Sequence, residues 1–333
     1  MAVQLAIAYD GSPSAANAVR VTGALFPATP TTIVTVPAPL PPAVRDPSRW
    51  LVNFPSGSLE RVETQLEAEL VEAAGEIAAE GVAQAQAGGL EAEPVVTRPH
   101  APPWEVLLAA ARRVGAEALV CGARGRGELA RAVLGSTSIS LLHHADLPLI
   151  VVPDDVDVSP GGLASMEPLA QGAPAFAAPG YRPDGRILIA YDGSAAADRA
   201  IDTAGRLLPG REATIVHVWE SQYRRSRAVS AIARGEVGEV VSALDQALAD
   251  EADETTAAGV RRAQAAGLDA TGEAVEADRG VWRTVRALAT DRGASLIVTG
   301  ARGIGGARSA LLGSVSSGLV HNADTPVLVV HAP

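Results

Sequence analysis

Two stretches of this chain space glycines in a way suited to holding an anion. Gly122 to Ser136 reads GARGRGELARAVLGS and Gly300 to Ser314 reads GARGIGGARSALLGS, so G-A-R-G is followed after nine residues by G-S both times. Each copy follows an apolar run, ALVC or LIVT, and precedes a segment that reads as a helix. A glycine turn leading into a helix N-terminus presents backbone N–H groups and a partial positive charge to whatever lies in front of it. Gly122, Gly125 and Gly135, with Gly300, Gly303 and Gly313, keep Cβ atoms out of the way of a phosphate. Ser136, Thr137 and Ser314 carry hydroxyls that can donate to phosphate oxygens, and Val315 stands where Thr137 does. Arg124 and Arg302 could add charge or could be solvated surface arginines. A turn with a packing role and no ligand is the alternative for the glycines, but it would not require the third glycine and the hydroxyl at a fixed distance.

Several chemistries are excluded. The 27 basic residues are all arginine. Without lysine there is no Walker A lysine, no kinase strand lysine and no Schiff base. A formal net charge of −11 and 3% aromatic residues argue against nucleic-acid binding, which needs a basic footprint and stacking platforms. The single cysteine, Cys121, cannot form an internal disulfide and reads as an apolar filler, since Thr299 takes its place in the second copy. His143 and His321 lie near helix C-termini, where the dipole accounts for them, and the other histidines show no metal-ligand spacing. Trp104 and Trp282, early in matching helices, read as core anchors. No signal peptide and no long apolar run is present, so a soluble cytoplasmic protein with no membrane partner is expected.

The elements that must position the glycines also occur twice. IAYDGS at Ile7 to Ser12 returns at Ile189 to Ser194, and LPLIVVP at Leu147 to Pro153 is echoed by TPVLVVH at Thr325 to His331. The chain is a tandem duplication. Its 333 residues suit two domains, 1–153 and 185–333, joined by a linker rich in Pro, Gly and Ala at 154–184.

Strands are expected near Val3 to Tyr9, Thr31 to Val36, Pro94 to Thr97, Glu117 to Cys121 and Leu147 to Val152. In the second half they are expected near Arg186 to Tyr191, Ala213 to Trp219, Glu273 to Ala277, Ser295 to Thr299 and Thr325 to Val330. Their near-continuous apolar character suits parallel strands covered on both faces. Helices open at Ser12 and Ser194, occupy stretches within 58–88 and 226–267, run near 104–114 and 281–292, and begin again at Ser136 and Ser314. The fold class that follows is α/β: two repeated doubly wound domains, each a five-stranded parallel sheet of order 3-2-1-4-5 with helices on both faces. Strands one and four are then neighbours where the winding reverses, and ligands bind outside the carboxyl ends of strands there. Asp10-Gly11 and Gly122 converge on that crevice in the first domain, and Asp192-Gly193 and Gly300 in the second.

With the strand-end Asp-Gly-Ser, the G-x2-G-x9-G-[ST] pattern met in full twice and the closing P-[LV]-[IL]-V-V strand, the chain resembles a tandem universal stress protein of the ATP-binding subtype. The resemblance covers both halves apart from the linker. It implies that Asp10 and Asp192 lie beside a ribose, a role compatible with capping their own loops, and that Val36 and Val218 contact adenine. It implies that Gly122, Gly125, Gly135 and Ser136 surround one triphosphate and Gly300, Gly303, Gly313 and Ser314 another, with Mg2+ or Mn2+ carried by the phosphates. The first copy departs after Val36, where Pro37, Pro39, Pro41 and Pro42 replace the VWE of the second.

The resemblance also implies pairing of the last strands, Leu147 to Val152 with Thr325 to Val330, as an intramolecular pseudo-dimer. A linker of this length reaches some 30 Å, enough to allow it. Homo-oligomers of whole chains and an unidentified regulatory protein partner follow on the same ground. The expected function is nucleotide-dependent regulation in a stress response. A slow ATPase is one alternative, although neither motif supplies a general base, and an interaction module with vestigial sites is another.

Overall fold

The computed structural model describes residues 3–40, 58–98, 101–125, 134–156, 181–221, 236–277, 279–303 and 312–331. The first half contains β1 (Leu5–Ala8), α1 (Pro13–Leu25), β2 (Pro30–Thr35), α2 (Ser58–Ala87), β3 (Glu91–Val96), α3 (Pro103–Arg113), β4 (Ala118–Gly122), α4 (Ser136–His144) and β5 (Leu149–Val152). The second half repeats the order with β6 (Ile187–Ala190), α5 (Ala195–Leu207), β7 (Glu212–Trp219), α6 (Glu236–Ala265), β8 (Asp269–Glu276), α7 (Val281–Asp291), β9 (Leu296–Gly300), α8 (Ser314–Asn322) and β10 (Val327–Val330).

All strands form one sheet of order β3-β2-β1-β4-β5-β10-β9-β6-β7-β8. Neighbours within each half are parallel. The halves meet at β5 and β10, which are antiparallel. Side chains alternate across each strand, so Ile150 and Val152 enter one core with α1, α2, α5 and α6, while Leu149 and Val151 enter the other with α3, α4, α7 and α8. Both cores run unbroken across the β5–β10 seam.

Local chemistry sets the element ends. Ser12 and Ser194 cap α1 and α5, each Oγ accepting from the backbone N–H three residues on at 3.2 Å. β2 stops at Thr35, just before the prolines that begin at Pro37, whereas β7 pairs as far as Trp219. The third strands begin earlier than the apolar pattern indicates, at Glu91 and Asp269 rather than Pro94 and Glu273. They are the sheet's outer strands, where acidic residues discourage further pairing. Of the expected linker, 154–156 and 181–184 are held by tertiary contacts: Val156 is buried in the first half and the Tyr181 hydroxyl donates to Ser295 O at 2.9 Å. Residues 157–180 lie outside the described residues.

Candidate functional site

β1 and β4 lie side by side where the winding reverses, and β6 and β9 do the same in the second half. Beyond the carboxyl end of β1, Asp10 Oδ1 accepts from Ser12 N at 3.0 Å, and Asp192 Oδ1 accepts from Ser194 N at 3.0 Å. Both aspartates therefore cap their own loops. The turns need left-handed backbone at Gly11 (φ 77°) and Gly193 (φ 78°), which glycine supplies without strain.

The glycines of the two motifs have different tasks. A Cβ on Gly122 would stand 2.7 Å from the Ser14 carbonyl oxygen, and one on Gly300 would stand 2.8 Å from the Ala196 carbonyl carbon. These first glycines let β4 and β9 approach the first turns of α1 and α5. A Cβ on Gly125 would lie 3.0 Å from Asp10 Oδ2, and one on Gly303 would lie 2.4 Å from Asp192 Oδ2. The second glycines thus make room for the strand-end carboxylates. Gly135 and Gly313 are under no such pressure, since a Cβ there would meet nothing closer than 3.4 Å.

Gly135 and Gly313 are instead the N-caps of α4 and α8, and no side chain caps either helix. Their own N–H groups donate to Ala123 O at 2.9 Å and Ala301 O at 2.7 Å, closing each glycine turn. Buried hydroxyls pin the helix starts: Ser138 Oγ donates to Gly122 O and Ser316 Oγ to Ala301 O, both at 2.9 Å. Ser14 Oγ accepts from Arg124 N at 3.1 Å. The sequence pattern does not mark Ser14, Ser138 or Ser316 as site residues. The only signal for the last two is the repeated S-x-S at the start of each final helix.

In the first half these groups surround a cavity of about 360 Å3. Of the expected residues, Asp10, Val36, Gly122, Arg124, Gly125, Gly135, Ser136 and Thr137 line it, and Gly11 does not. Pro37 and Pro39 also line it, so the proline run that departs from the second copy forms part of the wall. Cys121 lies at its base, its thiol pushed up to about 12 by burial, which fits an apolar filler. In the second half Asp192 and Gly193 follow β6, Val218 lies in β7, Gly300 ends β9, Arg302 and Gly303 follow it, and Gly313, Ser314 and Val315 begin α8.

The arginines differ. Arg124 is ion-paired with Asp154, both Nε and a terminal guanidinium nitrogen reaching the same carboxylate oxygen, whereas Arg302 is exposed. Trp104 stacks on His144 with ring centroids 4.3 Å apart. Trp282 packs over Gly318, where a Cβ would come within 2.4 Å of the indole. Among the described residues no cluster of three or more His, Cys, Asp or Glu could hold a metal ion, and no helix is long and apolar enough to cross a membrane.

Two doubly wound α/β repeats, each with a glycine turn at its topological switch point and the first with a cavity there, define the class of protein. The universal stress protein family model matches residues 3–153 and 185–331. A universal stress protein of Mycolicibacterium smegmatis is 32% identical over 222 residues, 65% of this chain and 62% of that one. Another, from Mycobacterium tuberculosis, is 32% identical over 219 residues, 64% of this chain and 61% of that one. The chain thus spans less than two thirds of the length of these relatives. The crystal structure of a universal stress protein from Archaeoglobus fulgidus has the same fold, with a TM-score of 0.57 at 19% identity and coverage of 99% of this chain and 98% of that chain. This chain belongs to the universal stress protein family, with the family's domain present twice.

Proposed function

We propose that the protein binds ATP in both crevices and acts as a nucleotide-dependent regulator in a stress response. The observation that carries this reading is the contrast between helix starts. α1 and α5 are capped by serine side chains, whereas α4 and α8 begin at glycines with no side-chain cap. In the first half the start of α4 borders the cavity. Open N–H groups at a helix start favour an anion, and several charge-assisted hydrogen bonds to one triphosphate support tight binding.

The first cavity falls within the volume range of small-molecule sites, and Val36 with the adjoining prolines gives it an apolar end suited to a base. In this reading Asp10 and Asp192 meet the ribose while capping their own loops. With a net charge of −11, the protein must hold the triphosphate by local geometry, and Mg2+ or Mn2+ would enter on the phosphates. The bound nucleotide serves as a switch read by a regulatory protein partner in the cytoplasm, with whole chains associating further.

The test is to denature the purified protein and identify the nucleotide released, with its stoichiometry. Up to two adenine nucleotides per chain are expected. Absence of ATP from the released material, together with no calorimetric binding of added Mg-ATP, overturns the reading.

A further inference from the structure

The two repeats treat the arginine of the glycine turn differently. Arg124 borders both the crevice of the first half and a smaller cleft of about 170 Å3, where Asp154 and Asp155 face His321, Asn322 and Asp324 of the second half. In that cleft Asp154 engages Arg124 through Nε and a terminal nitrogen, with the Arg124 side chain 22% exposed and the Asp154 side chain 17% exposed. The backbone that carries this carboxylate is itself held in place. Pro153 O and Asp154 O accept from Asn17 Nδ2 at 3.0 and 3.5 Å, and Ala123 N donates to Val152 O at 2.9 Å. In the second repeat LVVH runs on to Ala332, so the residue corresponding to Asp154 has no carboxylate. Arg302 there lies near His331, which is not an anion.

We propose that Asp154 is a built-in competitor for the phosphate of nucleotide in the first crevice. An arginine cannot give its Nε and the adjacent terminal N–H to a carboxylate and to a phosphate at once. Nucleotide that recruits Arg124 must first displace Asp154, which stands at the junction of the first domain and the linker and faces the second half. The first crevice therefore binds more weakly than it would without Asp154, and filling it loosens a contact between crevice, linker and domain interface. Among the described residues the second repeat has no such competitor. The proposal rests on the nucleotide reading above.

The first crevice is isolated by Gly313→Asp, and Mg-ATP binding is measured by calorimetry with Asp154 intact and with Asp154→Asn. The substitution is expected to tighten binding by roughly threefold to tenfold, the range for freeing a half-buried arginine from an ion pair. The gain must vanish when Arg124→Gln is added, because the competition runs through that side chain. In the unsubstituted chain, the Arg124 Nε–H NMR signal, assigned by its loss in Arg124→Gln, is expected to shift as Mg-ATP fills the first crevice, which provides a readout if Asp154→Asn does not fold. Unchanged or weaker binding in Asp154→Asn, a gain that persists in Arg124→Gln, or an Arg124 signal that stays still at saturation overturns the proposal. Failure of both the Gly313→Asp and the Gly135→Asp proteins to bind Mg-ATP overturns the nucleotide reading itself, and the competition with it.

Discussion

Ile150 and Leu328, the same position of the two repeats, lie directly opposite one another where β5 meets β10, with Val151 opposite Val327 and Leu149 opposite Val329 on either side. A repeated position that meets itself is the mark of a two-fold contact, here made within one chain. Both side chains are at most 1% exposed. The pairing removes the sheet edge that each five-stranded repeat would otherwise expose at its last strand, so that among the described strands the acidic β3 and β8 are the outer ones.

Val329→Pro tests how much the molecule depends on this seam. Ile297 N donates to Pro326 O and Ala301 N to Val330 O, so alternate residues of this stretch face β9 and the Val329 N–H faces β5. A proline there removes that bond and leaves a buried carbonyl unpaired, at a cost of about 1 to 3 kcal/mol. Denaturant unfolding should show a correspondingly lower midpoint, and an unchanged midpoint would exclude the paired seam.

The third glycine of each motif is the place to separate binding from folding. Gly135→Asp and Gly313→Asp put a carboxylate beside the open N–H groups of α4 and α8, where it would compete with phosphate through bulk and like charge. The new Cβ meets only ordinary contacts, and neither glycine has a left-handed backbone. Each variant should lose one ATP per chain at unchanged melting temperature. A double variant that binds ATP normally would show that the motif does not hold the triphosphate.

The first glycine behaves in the opposite way. Gly122→Ala drives its Cβ to 2.7 Å from the Ser14 carbonyl oxygen, which is backbone and cannot swing aside. Overpacking of this kind costs about 1 to 3 kcal/mol. Chemical denaturation should reveal that loss whether or not nucleotide is present, and Gly300→Ala should match it through Ala196. Stability equal to that of the unsubstituted chain would mean that the helix start readily retreats from the strand.

Duplication made much of this visible in the sequence. The apolar strands beside the crevice and the Ser12-Pro13 helix start are local signals, and β1, β4 and α1 fall within a residue or two of the positions they indicate. The apolar pattern starts the outer strands late, and in β3 the reason is that Glu91 and Glu93 are exposed and no apolar run precedes Pro94. At the crevice, glycine identity is visible, but the reason for each glycine is not. Ser14 behind Gly122 and Asp10 behind Gly125 are contacts between distant segments. The Arg124–Asp154 pair joins residues 30 apart, one of them in a stretch whose composition suggests only a linker.

His331 adds a pH dependence that its position in the sequence does not suggest. Its Nε2 lies 2.9 Å from Leu142 O in the other half of the molecule, while Nδ1 is buried with no partner among the described residues. Burial lowers its pKa from the ordinary 6.5; Arg302 also lowers it, while the Leu142 and Leu147 carbonyls and Asp146 act the other way to a lesser extent. Because the folded pKa lies below the unfolded one, the unfolded chain binds more protons between the two values, and stability rises with pH in that window. The contribution is complete above about pH 6.5 and is lost as pH falls through the lowered folded value. His331→Gln keeps an N–H donor for Leu142 O but cannot titrate. Between about pH 7 and pH 5 the unsubstituted chain should therefore lose more unfolding free energy than the His331→Gln variant, in parallel denaturant titrations. Equal losses in the two proteins would mean that His331 takes up its proton in the folded state as readily as in the unfolded chain.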